Sequence, residues 1–334
     1  MSETVCVLGA GSFGTALAKL LAEGGHAVRL YARDPEVARA IVEEHRHPRR
    51  LAGVRLPAGL RALTDVKAAV EGAGLVVSSV PTVAVRAVWA EAAPALKPGA
   101  YVLSATKGIE NGSLKVVSDI LKDSVPAEVH PRLSYLSGPS FAQEMARRLP
   151  TAVTIAADDE SAAAHVQSII STDYFRAYTT TDVICVELGG ALKNVIAIAA
   201  GASDGLGFGH NTLAALITRG LAEMSRLSTK MGARPLTMSG LAGMGDLVLT
   251  CTGSLSRNRT VGFQLGQGKK LDAILKELGQ VAEGVNTARS VNDLMKREGV
   301  DMPISAAVYR LCFEEADPRE EVYGLMGRKL KAED

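Results

Sequence analysis

The run VCVLGAGSFGTALAKLL, beginning at Val5, constrains the fold more than any other stretch of this chain. Four apolar residues suited to a buried strand lead into Gly9, Gly11 and Gly14 in the spacing Gly-x-Gly-x-x-Gly. Apolar residues at every third or fourth position follow, until Gly24 and Gly25 mark a stop. Strand, glycine turn and helix in that order make the opening of a βαβ unit that binds a dinucleotide. Gly9 permits the tight turn, Gly11 lets backbone approach a pyrophosphate, and Gly14 allows the helix to pack closely. The helix N-terminus then faces the anion. A glycine turn without a ligand is the plain alternative.

Further apolar runs bounded by Gly, Pro or polar residues read as strands: TVCVLGA, AVRLYA, LVVSSV, YVLSAT, LSYLSG, AVTIAA and YFRAY. Helical spacing lies between several of them. The expected fold is therefore α/β, a Rossmann-like, doubly wound, mostly parallel sheet covered on both faces. After about residue 185 the strand-like runs give way to Ala/Leu/Met-rich helical patterns with Gly-rich loops. We expect a nucleotide-binding domain over 1–185 and an all-α, substrate-binding domain over 186–334, a division that suits a chain of 334 residues.

The 37 Lys plus Arg against 36 Asp plus Glu leave no net field to attract a nucleic acid or an anionic membrane, so any anion must be held locally. Cys6, Cys185, Cys251 and Cys312 lie far apart without a Cys-x-x-Cys pair and read as reduced packing residues. His45 and His47 have no third ligand nearby, so no metal site is expected. No basic leader precedes the first strand, and the apolar stretch Val183 to Ala202 contains Glu187 and Lys193, a poor membrane span. A cytoplasmic protein without membrane insertion is the expectation. The polar, basic stretch EEHRHPRRL, residues 43–51, reads as a loop near the cofactor end of the first domain.

Several polar residues stand where chemistry needs them. Arg33 and Asp34 end the second strand, where an acid would hold a ribose 2′-hydroxyl and an arginine a 2′-phosphate; both NAD and NADP survive, with Arg33 leaning towards NADP. Asp34 before Pro35 also fits a helix N-cap. Lys107 follows a strand at the carboxyl edge where parallel sheets bind ligands, though a solvated loop lysine has the same pattern. Gly138, Pro139 and Ser140 end another strand, and Ser140 with Gln143 matches a helix capping box.

The segment ELGGALKNVIAIAAG is the most informative. Wound as a helix, it puts Leu188, Leu192, Val195 and Ala199 on one face and Gly190, Lys193, Asn194, Ala197 and Gly201 on another. Small residues around one amine and one amide admit a neighbouring backbone or a ligand. Burial of a lysine disfavours its charged form and brings proton exchange closer to neutral pH, as carbonyl reduction requires. Asp246, among Gly240, Gly243 and Gly245, either caps a helix or pairs with a buried cation such as Lys193. Ser256, Arg257 and Asn258 at an apparent helix start suit a phosphate dianion, or a plain polar helix entry.

Taken in order, GAGSFGTALA, SATKGIE, SGPSFAQE, ELGGALKNVIAIAAG, GLAGMGDLVLTC, SRNRTVG and VAEGVNTA resemble the bacterial-type NAD(P)-dependent glycerol-3-phosphate dehydrogenases over essentially the whole chain. The resemblance implies that Lys193 donates and accepts the proton. It implies that Lys107, Gly138, Ser140, Lys193, Asp246, Ser256, Arg257 and Asn258 contact glycerol 3-phosphate. Cofactor contacts are implied from Ser12, Phe13, Arg33, Lys107, Ala142, Arg257, Val281 and Glu283. A homodimer supplying glycerol 3-phosphate for phospholipid synthesis is implied as well.

Two other readings compete. A dehydrogenase of the same fold acting on hydroxy or sugar acids would also carry a lysine on the first helix after the nucleotide domain, but would not need the Ser-Arg-Asn grouping. A nucleotide sensor without chemistry would need neither Lys193 nor Asp246.

Overall fold

The computed structural model describes residues 2–279, 281–330 and 332. Eight strands form one sheet: β1 (Thr4–Leu8), β2 (Ala27–Tyr31), β3 (Arg61–Leu63), β4 (Leu75–Ser78), β5 (Tyr101–Ser104), β6 (Leu133–Ser137), β7 (Thr151–Ala156) and β8 (Phe175–Thr180). Their order is β3-β2-β1-β4-β5-β6-β7-β8, and every neighbouring pair is parallel except β6 with β7. The doubly wound α/β expectation holds. β3 is not among the seven runs suggested by the sequence, because three residues are too few to establish a period.

Burial explains the pattern of each strand. Every residue of β4 is buried, as is β1 from Val5 to Leu8, so both faces are covered and the sequence there is continuously apolar. At the far edge β8 alternates, with Phe175 and Ala177 buried and Arg176 and Tyr178 exposed. The chain winds from β1 out to β3 and restarts on the other side of β1 with β4. Such a switch point opens a crevice at the carboxyl ends of β1 and β4, where the glycine-rich turn sits.

The chain divides into two compact units. One comprises Met1–Lys107 with Lys115–Glu187; the other comprises Gly108–Leu114 with Leu188–Asp334. Among the described residues of the second unit every regular element is helical. The helix Val183–Gly205 is the only described one long and apolar enough to cross a membrane, and 89% of its most apolar window is buried. The predicted helix NTARSVNDLMKREG is present within Glu283–Glu298, with Lys296 and Arg297 in its last turn and Gly299 left-handed just beyond. All four cysteines are buried thiols.

Glu187 is a buried carboxyl whose Oε1 accepts from the Ser118 amide at 2.7 Å, while Oε2 and the nearby buried Tyr135 hydroxyl have no hydrogen-bond partner among the described residues. Burial pushes the Glu187 carboxyl up to about 8, against the Ser118 hydrogen bond that favours the anion. The folded state therefore holds a proton that the unfolded chain has already released, and stability falls as pH rises from the ordinary carboxylate range to about 8. Glu187→Gln keeps an acceptor for Ser118 and cannot ionise. Denaturant titrations between about pH 6 and 8 should show wild type losing up to about 1.4 kcal/mol per pH unit more than the variant; parallel curves would place Glu187 outside this linkage.

Candidate active site

The glycine turn has separate reasons for its three glycines. Gly9 has φ of 108°, and a Cβ there would press on the Ser79 carbonyl oxygen at 2.7 Å. A Cβ on Gly14 would overlap the Gly9 carbonyl oxygen, so helix and turn touch through backbone. At Gly11 a Cβ would meet no protein atom within 4 Å, and protein packing does not account for that glycine. Gly11 is also the N-cap of the helix Ser12–Glu23, which has no side-chain cap, so the first amides at Ser12 and Phe13 receive no side-chain acceptor there. These features fit a dinucleotide pyrophosphate.

At the end of β2 the two readings of Asp34 separate. Its carboxylate accepts from the Glu36 amide at 2.9 Å as the N-cap of the helix Pro35–Glu43, and it pairs with Arg49. The hydrogen bond from Arg49 and the Glu36 amide hold the carboxyl below the usual range. Arg33, beside it, is exposed. The 43–51 stretch lies against the glycine turn: the buried His47 bonds the Ala10 carbonyl at 3.0 Å, and Arg49 and Arg50 follow it. Sequence reading placed this loop near the cofactor end and weighed His45 and His47 only as metal ligands; the signal for the rest was its charge.

Lys107 follows β5, with Nζ 5.8 Å from the centroid of the Phe13 ring. Gly138, at the end of β6, has φ of 139°, and a Cβ there would press on the Val153 backbone at 2.8 Å. The capping box expected for Ser140 and Gln143 does not form. The helix begins only at Ala142 with Phe141 as its N-cap, so the Ser140 hydroxyl donates to the Gly138 carbonyl instead, and Gln143 donates to Ala52. The first bond braces the loop between β6 and that short helix, and the second ties the helix to the Ala52 backbone.

In the helical unit, Lys193 is 7% exposed and its Nζ donates to Asp246 Oδ1 at 2.5 Å and to Thr250 Oγ1 at 3.1 Å. Asp246 is 1% exposed and begins the helix Asp246–Thr252 without capping it, so of its two readings the cation pair is the one realised. Thr250 lies four residues on, on the same helix face, and its hydroxyl donates to the Asp246 carbonyl at 2.6 Å. That orientation leaves its oxygen to accept from the lysine. The sequence reading missed Thr250; the i, i+4 spacing from Asp246 could have found it.

The small face of the Lys193 helix is used mainly for backbone contact. A Cβ on Gly201 would fall on the Arg259 carbonyl oxygen, and one on Gly262 would fall on that of Ile198. The two helices interlock through paired glycines, which brings the start of Arg257–Gly266 beside Asn194. Ser256 caps that helix, accepting from the Arg259 amide at 3.2 Å. Asn258 donates to Asn194 Oδ1 at 2.8 Å and accepts from the Gly284 amide at 3.0 Å, one residue after Glu283. Arg257 is exposed in the first turn, and Val281 is 44% exposed before the Glu283–Glu298 helix. Among the described residues no three His, Cys, Asp or Glu side chains converge to hold a metal ion.

The model of the NAD-dependent glycerol-3-phosphate dehydrogenase N-terminus matches residues 4–163, and that of the C-terminus matches residues 182–323. The chain belongs to this family. It is an oxidoreductase that uses a nicotinamide dinucleotide. The glycerol-3-phosphate dehydrogenase [NAD(P)+] of Anaeromyxobacter dehalogenans is 54% identical over 327 residues, 98% of each chain, and that of Geobacter sp. strain M21 is 52% identical over 333 residues, 100% of this chain and 99% of the other. The crystal structure of glycerol-3-phosphate dehydrogenase from Coxiella burnetii superposes with a TM-score of 0.92 at 37% identity, covering 98% of this chain and 99% of that one. The resemblance drawn from the sequence and the fold class are both borne out.

Proposed function

We propose that this glycerol-3-phosphate dehydrogenase reduces dihydroxyacetone phosphate with Lys193 as the proton donor and the Ser256–Asn258 helix start as the phosphate site. One observation carries the reading: Lys193, in its buried cluster with Asp246 and Thr250, and Asn194, bonded to Asn258, are consecutive residues of one helix. A reduced dinucleotide held at the glycine turn would supply the hydride for the carbonyl carbon. Lys193 gives its proton to the carbonyl oxygen as charge develops there, and recovers one in the reverse reaction. Asp246 and Thr250 fix the amine so that its remaining approach is set by geometry rather than by side-chain freedom. Lys107 adds positive charge for the developing alkoxide.

Arg257 and the amides behind the Ser256 cap hold the phosphate, and Gly138 and Ser140 line the substrate. Asn258 supports this grouping through its bonds to Asn194 and Gly284 as well as by contact with substrate. Cofactor contacts come from Gly9, Gly11, Ser12, Phe13, Gly14, Arg33, Lys107, Ala142, Arg257, Val281 and Glu283. We assign 1–185 to cofactor binding and 186–334 to substrate binding. A cytoplasmic homodimer that feeds glycerophospholipid synthesis completes the reading.

The test compares dihydroxyacetone phosphate with phosphate-free dihydroxyacetone in an assay of reduced-nicotinamide consumption. Loss of the phosphate should lower kcat/KM by at least about a hundredfold, because binding energy at the remote group aligns the carbonyl. Equal turnover of the two would remove the phosphate site. The cap and ion pair that occupy Asp34 leave Arg33 at a basic edge, which favours a 2′-phosphate. Arg33→Ala should therefore lower kcat/KM for NADPH roughly tenfold and leave NADH almost unchanged; an equal loss with both would assign Arg33 to the adenine ring or the fold.

A further inference from the structure

His47 lies outside every contact assigned above, yet it is buried and both ring nitrogens are committed. Nδ1 accepts from the Arg49 backbone amide at 3.2 Å, so the ring's proton is on Nε2, which donates to the Ala10 carbonyl at 3.0 Å. Ala10 is the residue between Gly9 and Gly11. Its carbonyl and the Gly11 amide belong to one trans peptide, so they point to opposite sides of a rigid plane. Holding the carbonyl towards His47 aims the Gly11 N–H away from the 43–51 stretch. That plane turns about ψ of Ala10 and φ of Gly11, and Gly11, with no protein atom near its Cβ position, is a flexible hinge on one side of it.

We propose that His47 is a positioning residue for cofactor binding: in its neutral form it locks the Ala10–Gly11 peptide that presents an amide to the cofactor pyrophosphate, and ties to it the segment bearing Arg49 and Arg50. The inference rests on the reading that the glycine turn binds the dinucleotide. Protonation would place a second N–H on Nδ1, opposite the Arg49 amide, and turn that hydrogen bond into a repulsion. Burial is the main reason the imidazole titrates below its ordinary value; the Ala10 carbonyl raises it, Arg50 and Arg49 lower it, and Asp34 raises it. Those are the charged groups that face the ring. With a lowered value the bound arrangement persists at neutral pH and is lost as pH falls below the ordinary histidine range.

The experiment measures dissociation constants for NADH by fluorescence titration of wild type, His47→Ala and His47→Gln, each at about pH 8 and about pH 5.5. Glutamine carries an N–H where Nε2 stands and does not titrate. NADH is the probe because the 2′-phosphate of NADPH itself ionises in this range. At the higher pH, His47→Ala should bind NADH about three- to tenfold more weakly, with His47→Gln close to wild type. On acidification wild type should weaken by a similar factor while His47→Gln stays level. Saturating cofactor should restore kcat in every variant, and the KM for dihydroxyacetone phosphate should not move. Wild-type affinity in His47→Ala, or an acid loss equally large in His47→Gln, would overturn the proposal. Failure of wild type to bind NADH at all would instead overturn the reading of the glycine turn.

Discussion

Replacing Lys193 with Ala lowers kcat for dihydroxyacetone phosphate reduction by about 10²- to 10⁴-fold, the usual contribution of a positioned general acid. Cofactor affinity should be almost unchanged, since Lys193 is not among the residues assigned to cofactor contact. The variant also takes the Lys193 amine away from Asp246, which is 1% exposed. Breaking a buried pair from one side costs about 3–5 kcal/mol, so activity is read only on protein shown by thermal melting to be folded. A second variant separates the two effects. Lys193→Met with Asp246→Asn removes both charges and should regain much of the lost stability without regaining turnover. Recovery of kcat in that double variant, or a kcat within about threefold of wild type in Lys193→Ala, would rule out proton donation by this amine.

Gly201→Ala should destabilise the protein by about 3 kcal/mol or more, although the same change in an isolated helix stabilises it by roughly 1 kcal/mol. The sign is decided by the neighbour. A methyl group on Gly201 would occupy the position of the Arg259 carbonyl oxygen, with the Phe263 amide also in contact, and neither backbone can yield without moving the whole Arg257–Gly266 helix. Moving that helix withdraws Asn258 from Asn194, so activity should fall together with the denaturation midpoint. A urea titration in which Gly201→Ala matches or exceeds wild type would show that the two helices separate at little cost. Gly262→Ala, which would strike the Ile198 carbonyl, provides an independent check from the other side of the same contact.

Much of this protein was legible in the sequence because its main features are local. The strand, glycine turn and helix at Val5–Leu21 need only neighbours in the chain, and continuous apolar runs mark the doubly covered strands. A capping box predicted at Ser140 and Gln143 failed because a cap depends on where the helix starts: it starts at Ala142, and the Ser140 hydroxyl donates to the Gly138 carbonyl instead. Asp34 carried two alternative local meanings, and its pairing with Arg49, fifteen residues on, was a matter of tertiary contact.

By itself, then, the sequence determined the element types, the dinucleotide turn, the lysine on a small-faced helix and the family, since each rests on periodicity, on a short motif or on order along the chain. Only the tertiary structure decided which distant groups meet. Thr250 reaches Lys193 across 57 residues, Gly284 reaches Asn258 across 26, and His47 reaches Ala10 across 37. The physical reason is that a buried amine, amide or imidazole must find partners, but which one it finds depends on how closely the backbones that carry them can approach. Here glycines such as Gly201 and Gly262 set that approach between the two helices that carry Lys193 and Asn258, and their role shows only when the neighbouring carbonyl is in place.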